Sequence, residues 1–108
     1  MISIKTFYAY GKEKPITGES SVIFNNSAET LTMQVDELAG GVELYGTVDF
    51  DSDVFYKLMG NNSSFELVNK ITTDGIYHFS IEGIAKIKFE AENANKDLTI
   101  FCRMTRGI

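Results

Sequence analysis

The feature that most constrains this chain is the run from Asp74 to Thr105, DGIYHFSIEGIAKIKFEAENANKDLTIFCRMT, where apolar and polar residues alternate three times over. Tyr77, Phe79 and Ile81 share one parity, with His78 and Ser80 on the other. Ile87, Phe89 and Ala91 alternate with Lys86, Lys88 and Glu90, and Leu98, Ile100, Cys102 and Met104 alternate with Thr99, Phe101 and Arg103. A period of two sends successive side chains to opposite faces of an extended backbone. Each run therefore predicts a strand with one buried and one wet face. Gly83 and the ENANKD segment supply the turn residues between them. Three such strands make an antiparallel meander whose apolar face needs a second sheet to cover it.

The remainder of the chain supplies that sheet. Residues 21–25 (SVIFN) read as a short apolar strand and NSAE as its turn. Thr30–Asp36 alternates with Leu31, Met33 and Val35 inward, and Val42, Leu44, Gly46 and Val48 continue on one parity against Glu43, Tyr45, Thr47 and Asp49. Gly46 in mid-strand predicts a bulge or a bulky cross-strand neighbour. Val54 to Met59 reads as a short strand or irregular crossing, and Phe65 to Ile71 as a returning strand with Phe65 and Leu67 on one side. The expected class is all-β: an antiparallel β-sandwich, Ig-like or jelly-roll, of about eight or nine strands. Residues 2–10 (ISIKTFYAY) have no cleanly apolar side, and GKEKPITGES after them holds the chain's one proline. Residues 1–19 therefore read as an N-terminal strand or arm with a linker, and residues 20–108 as a single sandwich domain.

Composition excludes several functions. The formal net charge of -5 argues against nucleic acid, whose phosphates require clustered Lys and Arg. The charge is uneven, with nine acids and three bases in residues 1–53 against six acids and seven bases in residues 54–108. That asymmetry reads first as acidic loops and second as an oriented docking surface. Cys102 is the single cysteine, so neither an internal disulfide nor a thiolate zinc site is expected. No apolar run approaches 18 residues and no leader pattern begins at Met1, so neither membrane insertion nor classical secretion is expected.

Asp49, Asp51 and Asp53 resemble the opening of a calcium loop, but an EF-hand needs glycine and glutamate where Val54 and Gly60 stand. A solvated acidic turn is the plainer reading, and no metal or cofactor is expected. His78 is the one histidine, with no nucleophile placed beside it by the pattern, and Cys102 falls on an inward parity. No enzyme is expected. The aromatics are more informative. Tyr45 and Phe101 take outward parities, and Phe7, Tyr8 and Tyr10 cluster near the N-terminus, which makes these five the candidate interface. Exposed Tyr and Phe anchor protein interfaces or stack on sugars, and interface is preferred here.

The order SSVIFNN, TLTMQV, GGVELYGTVDFDSDVFYKL and GIYHFSIEGIAKIKFEAENANKDLTIFCRM is similar to that of small β-sandwich virion proteins of tailed bacteriophages. The resemblance covers about residues 20–106. It rests on Gly46, Asp49, Asp51, Tyr56, Leu58, Gly75, Tyr77, Gly83, Lys86 and Thr99. The chain departs from the pattern at Phe55-Tyr56, where tryptophan is usual, and at Lys86, where arginine is common. The resemblance implies a structural virion protein, made in the bacterial host cytoplasm, that decorates the capsid or attaches to the tail or baseplate. Its implied partners are other virion proteins or copies of itself. The alternative it carries is a module that binds host-surface glycan, with Tyr45, Phe101 or Tyr56 stacking on sugar.

Overall fold

All three alternating runs form strands in the structure, a computed structural model that describes residues 2–11, 22–93 and 97–107. Within those residues the strands are β1 (Ile2–Tyr10), β2 (Ile23–Phe24), β3 (Thr30–Asp36), β4 (Val42–Thr47), β5 (Tyr56–Lys57), β6 (Gly60–Asn62), β7 (Leu67–Val68), β8 (Gly75–Ser80), β9 (Lys86–Ala91) and β10 (Thr99–Arg106). They form two sheets, ordered β1-β10-β3-β8-β6-β7 and β2-β9-β4-β5, and every pairing is antiparallel. The fold is an antiparallel β-sandwich.

The pairings nest. β1 pairs with β10, β2 with β9, β3 with β8 and β4 with β5, so the chain is one long antiparallel ribbon doubled back between β4 and β5. Pairing of β10 with β3 and of β9 with β4 rolls that ribbon into two facing sheets. Of the two expected architectures this is the jelly roll, with the β6–β7 hairpin added at one edge of the larger sheet. The strands beyond eight or nine are two or three residues long, too short for alternation to announce them.

The core follows the parity. Met104, Leu31 and Phe79 stand side by side across β10, β3 and β8, as do Cys102, Met33 and Tyr77, and all six are buried. Leu44 and Phe89 form the matching buried pair on the smaller sheet. Gly46 faces the same interior, and a Cβ there would lie 2.9 Å from both Ile84 Cγ2 and Leu58 Cδ1. Its bulky neighbours, rather than a bulge, explain the glycine. Asn25 ties the loop ends together. Its amide donates to the carbonyls of Ala28, Ile81 and Ile84 at 3.1, 3.1 and 2.8 Å, and its Oδ1 accepts the Ala28 N–H at 2.8 Å. Buried backbone groups that leave the sheets are satisfied in this way.

Four expectations need correction. The three runs of Asp74–Thr105 make no meander: β8 and β10 lie in the larger sheet with β3 between them, and β9 lies in the smaller sheet. Of the two readings of Ile2–Tyr10, strand or arm, the structure shows the strand, at the edge of this chain's own larger sheet and paired with β10 from Ile2↔Arg106 to Tyr10↔Ile100. The linker read over residues 12–19 lies outside the described residues. Tyr10 is only 2% exposed, because a register shift between Tyr8 and Tyr10 inserts Ala9 as an extra residue and turns Tyr10 inward. Lys86 is not wet. It is 7% exposed, because the loop after β4 folds over it and its ammonium donates to the Ser52 carbonyl at 2.7 Å. Finally, Phe65 belongs to no strand. Asn62 Oδ1 accepts the N–H groups of Ser64 and Glu66, and the tight turn leaves Phe65 at φ 63° in solvent.

Candidate functional site

The five candidate aromatics separate into three places. Tyr10 and Phe7 belong with the core. The Tyr10 hydroxyl donates to the Phe89 carbonyl at 3.4 Å, and Phe7, opposite Cys102, is half-buried against the interior with the Lys5 ammonium 5.5 Å from its ring. Tyr8 and Phe101 are brought together as a cross-strand pair on the outer face of the larger sheet. Their ring centroids are 5.0 Å apart at 60°, and they are 49% and 37% exposed. Tyr45 lies on the outer face of the smaller sheet, on the other side of the sandwich.

The Tyr8–Phe101 pair begins a row that runs across four strands: Tyr8, Phe101, Gln34 and Ile76. Beside it runs Arg103, Thr32, His78 and Asn61, with the Thr32 hydroxyl 3.0 Å from His78 Nδ1. Between the rows lies an open groove of about 130 Å³ lined by Thr32, Met33, Gln34, Ile76, Phe101 and Arg103. Apolar rings, one guanidinium, one amide and one hydroxyl thus share a shallow, strand-built floor. These groups can stack and hydrogen-bond.

Around Tyr45 the outer face of the smaller sheet carries a polar network. Glu43 forms an ion pair with Lys57 and accepts the Tyr45 hydroxyl at 3.2 Å. The hydrogen bond from Lys57 holds the Glu43 carboxyl below its ordinary value, against the opposing effect of desolvation. Desolvation, followed by the Glu43 hydrogen bond, pushes the Tyr45 phenol up to about 12. The two groups act at opposite ends of the pH scale. Glu43, depressed on folding, contributes stability that is present above 4.5 and is lost as pH falls through its lower folded value. Tyr45, raised on folding, contributes stability that is present below 10.0 and is lost as pH rises from there to about 12. Denaturant melts should show Glu43→Gln flattening the acid limb and Tyr45→Phe the alkaline limb, each by no more than about 1 kcal/mol, the range for partly exposed pairs. Unchanged limbs in both variants would show that the network carries no stability.

A second exposed surface was not expected. The loop between β4 and β5 reads VDFDSDV, and Val48, Phe50 and Val54 are all exposed. Phe50 stacks on exposed Phe24 of β2 with centroids 6.3 Å apart at 21°. Asp49 Oδ1 accepts the Asp51 N–H at 2.9 Å, which turns the loop and sets Phe50 between two carboxylates. Beneath it Phe55 covers the Lys86 and Lys88 ammoniums at 5.6 and 4.8 Å. The signal in the sequence was the alternation of Asp with Val and Phe. It reads as an acidic turn if only the carboxylates are weighed.

No protein-family model matches the chain, and no curated protein matches it in sequence. Among solved structures, the fold is similar to that of the crystal structure of SPBc2 prophage-derived protein YomS, with a TM-score of 0.77 and 19% identity over 96% of this chain and 95% of that one. At that identity the likeness is one of fold.

Proposed function

We propose that the chain is a phage protein and a structural component of a tailed-phage particle, held to the capsid or tail by protein–protein contacts. The observation that carries this reading is the extent of the structural likeness. The prophage-derived protein matches over 95% of its own length and 96% of this chain, so the likeness of fold extends over nearly the whole of both chains. The sequence resemblance to small virion sandwiches points the same way by an independent route. Two exposed aromatic surfaces, Tyr8–Phe101 on one sheet and Phe24–Phe50 at the loop, supply faces for docking. A particle protein needs rigidity, such faces, and solubility before assembly, which a net charge of -5 favours.

The test is density-gradient purification of particles from the phage whose genome carries this chain, with detection by antibody. The protein should band with the particles at a fixed copy number and resist a high-salt wash. Recovery only in the free-protein fraction would overturn the reading. The second reading, a host-glycan module, is favoured by Arg103, Gln34 and Thr32 lining a groove beside Phe101, since guanidinium, amide and hydroxyl groups suit sugar hydroxyls. Saturable binding to host cell-wall glycan, abolished in Phe101→Ala, would support it.

A further inference from the structure

The two exposed aromatic surfaces are complementary to each other. The β4–β5 loop presents Phe50 flanked by Asp49 and Asp51, with Val48 and Val54 exposed beside it and no base between residues 48 and 54. The apolar side chains lining the groove on the larger sheet are Phe101 and Ile76, and its one charged side chain is Arg103, a cation in a chain whose acids outnumber its bases by 15 to 10. A phenyl ring carried between carboxylates matches it in polarity and sign.

The loop cannot reach the groove of its own chain. It folds over the outer face of the β2-β9-β4-β5 sheet, where Ser52 meets Lys86 and Phe50 meets Phe24, whereas the groove lies on the outer face of the other sheet. We infer that this protein assembles with copies of itself head to tail, the Val48–Val54 loop of one copy seating Phe50 in the Phe101–Ile76–Arg103 groove of the next. The occupant is a second copy because one chain carries both halves of the match. Such a contact uses two different patches, so it closes into a ring or continues as a filament, and it does not stop at a two-fold dimer. This contact stands independently of whether the chain is a particle component.

Sedimentation velocity on the full chain tests it with two surface variants, Asp51→Arg, which spoils the loop, and Phe101→Ser, which spoils the groove. Wild-type protein should form species larger than a monomer as concentration rises, and added salt should weaken them. Each variant alone should require at least about tenfold more protein to associate, since Asp51→Arg sets a second cation against Arg103 and Phe101→Ser removes the ring that lines the groove. The equimolar mixture should form one-to-one dimers and nothing larger, because only one intact loop and one intact groove remain. Wild-type protein that stays monomeric at millimolar concentration overturns the inference. So do variants that assemble like the wild type, or a mixture that stays monomeric. Thermal melts matching the wild type show that the variants are folded.

Discussion

Truncation of Phe89 to Ala should lower the unfolding free energy by about 3–5 kcal/mol, a large share of the roughly 5–15 kcal/mol that holds a domain of this size together. Phe89 lies at the centre of β9, fully buried and opposite Leu44, with β2 and β4 pairing to either side of its strand. The hole left by the ring cannot close easily. The sheets stand about 10 Å apart on a ladder of backbone hydrogen bonds, so the lining loses its contacts without moving inward. Lys88→Ala, one residue away on the opposite face, removes a cation that rests 4.8 Å from the centre of the Phe55 ring. Its cost should stay within about 1 kcal/mol, the range for such contacts near the surface. Urea melts of both variants decide the matter, provided the slopes agree and only the midpoints move. Comparable losses at 88 and 89 would mean that β9 is out of register.

The parts of this fold that alternation could announce were legible because their geometry is local. β3, β4, β8, β9 and β10 each carry at least six residues, and one buried face imposes a pattern that survives any uncertainty about partners. The nesting of strand pairs was not legible. Pairing β1 with β10 joins residues at opposite ends of the chain, and parity says which side of a strand is buried but not which strand lies beside it. Parity also fails wherever a residue is inserted. Tyr8 and Tyr10 share a parity in the sequence, yet the bulge at Ala9 puts one in solvent and the other in the core.

The candidate surfaces were half legible for a related reason. Phe101 was placed outward because its strand is long and regular, and Tyr8 meets it only through a pairing that spans the chain. Phe24 and Phe50 met no such rule. Phe24 occupies a two-residue strand and Phe50 an irregular loop, and their stacking is a consequence of the roll. Lys86 shows the converse. Its parity is outward, but the same loop closes over it, so a residue that should have been wet became a buried cation held by a carbonyl and a ring.

Removal of residues 1–19 is the change with the largest expected effect, because it separates an attachment arm from a structural strand. A chain beginning at Ser20 should show no cooperative melt. The direct losses are the buried Tyr10 ring, worth about 3–5 kcal/mol by analogy with other large core aromatics, and the half-buried Ile4 and Phe7. The backbone freedom no longer surrendered by the missing strand, about 1–2 kcal/mol per residue, offsets part of this. What the offset does not repair is β10. Losing its partner on one side turns Thr99–Arg106 into an open edge eight residues long, flanked by the newly uncovered Ile100, Cys102 and Met104, which are fully buried in the intact chain. Long, flat, apolar edges recruit other chains. In the intact protein β1 blunts this risk, since it takes the edge itself, carries Lys5, and is bent by register shifts at both ends. Aggregation of the shortened chain, relieved by adding a peptide of residues 1–11, would establish that the strand belongs to the sandwich. Attachment would then have to use the exposed aromatic faces. A shortened chain that melts cooperatively near the wild-type midpoint would instead mean that β1 rests on the sandwich without supporting it, free to be handed to a neighbour's sheet.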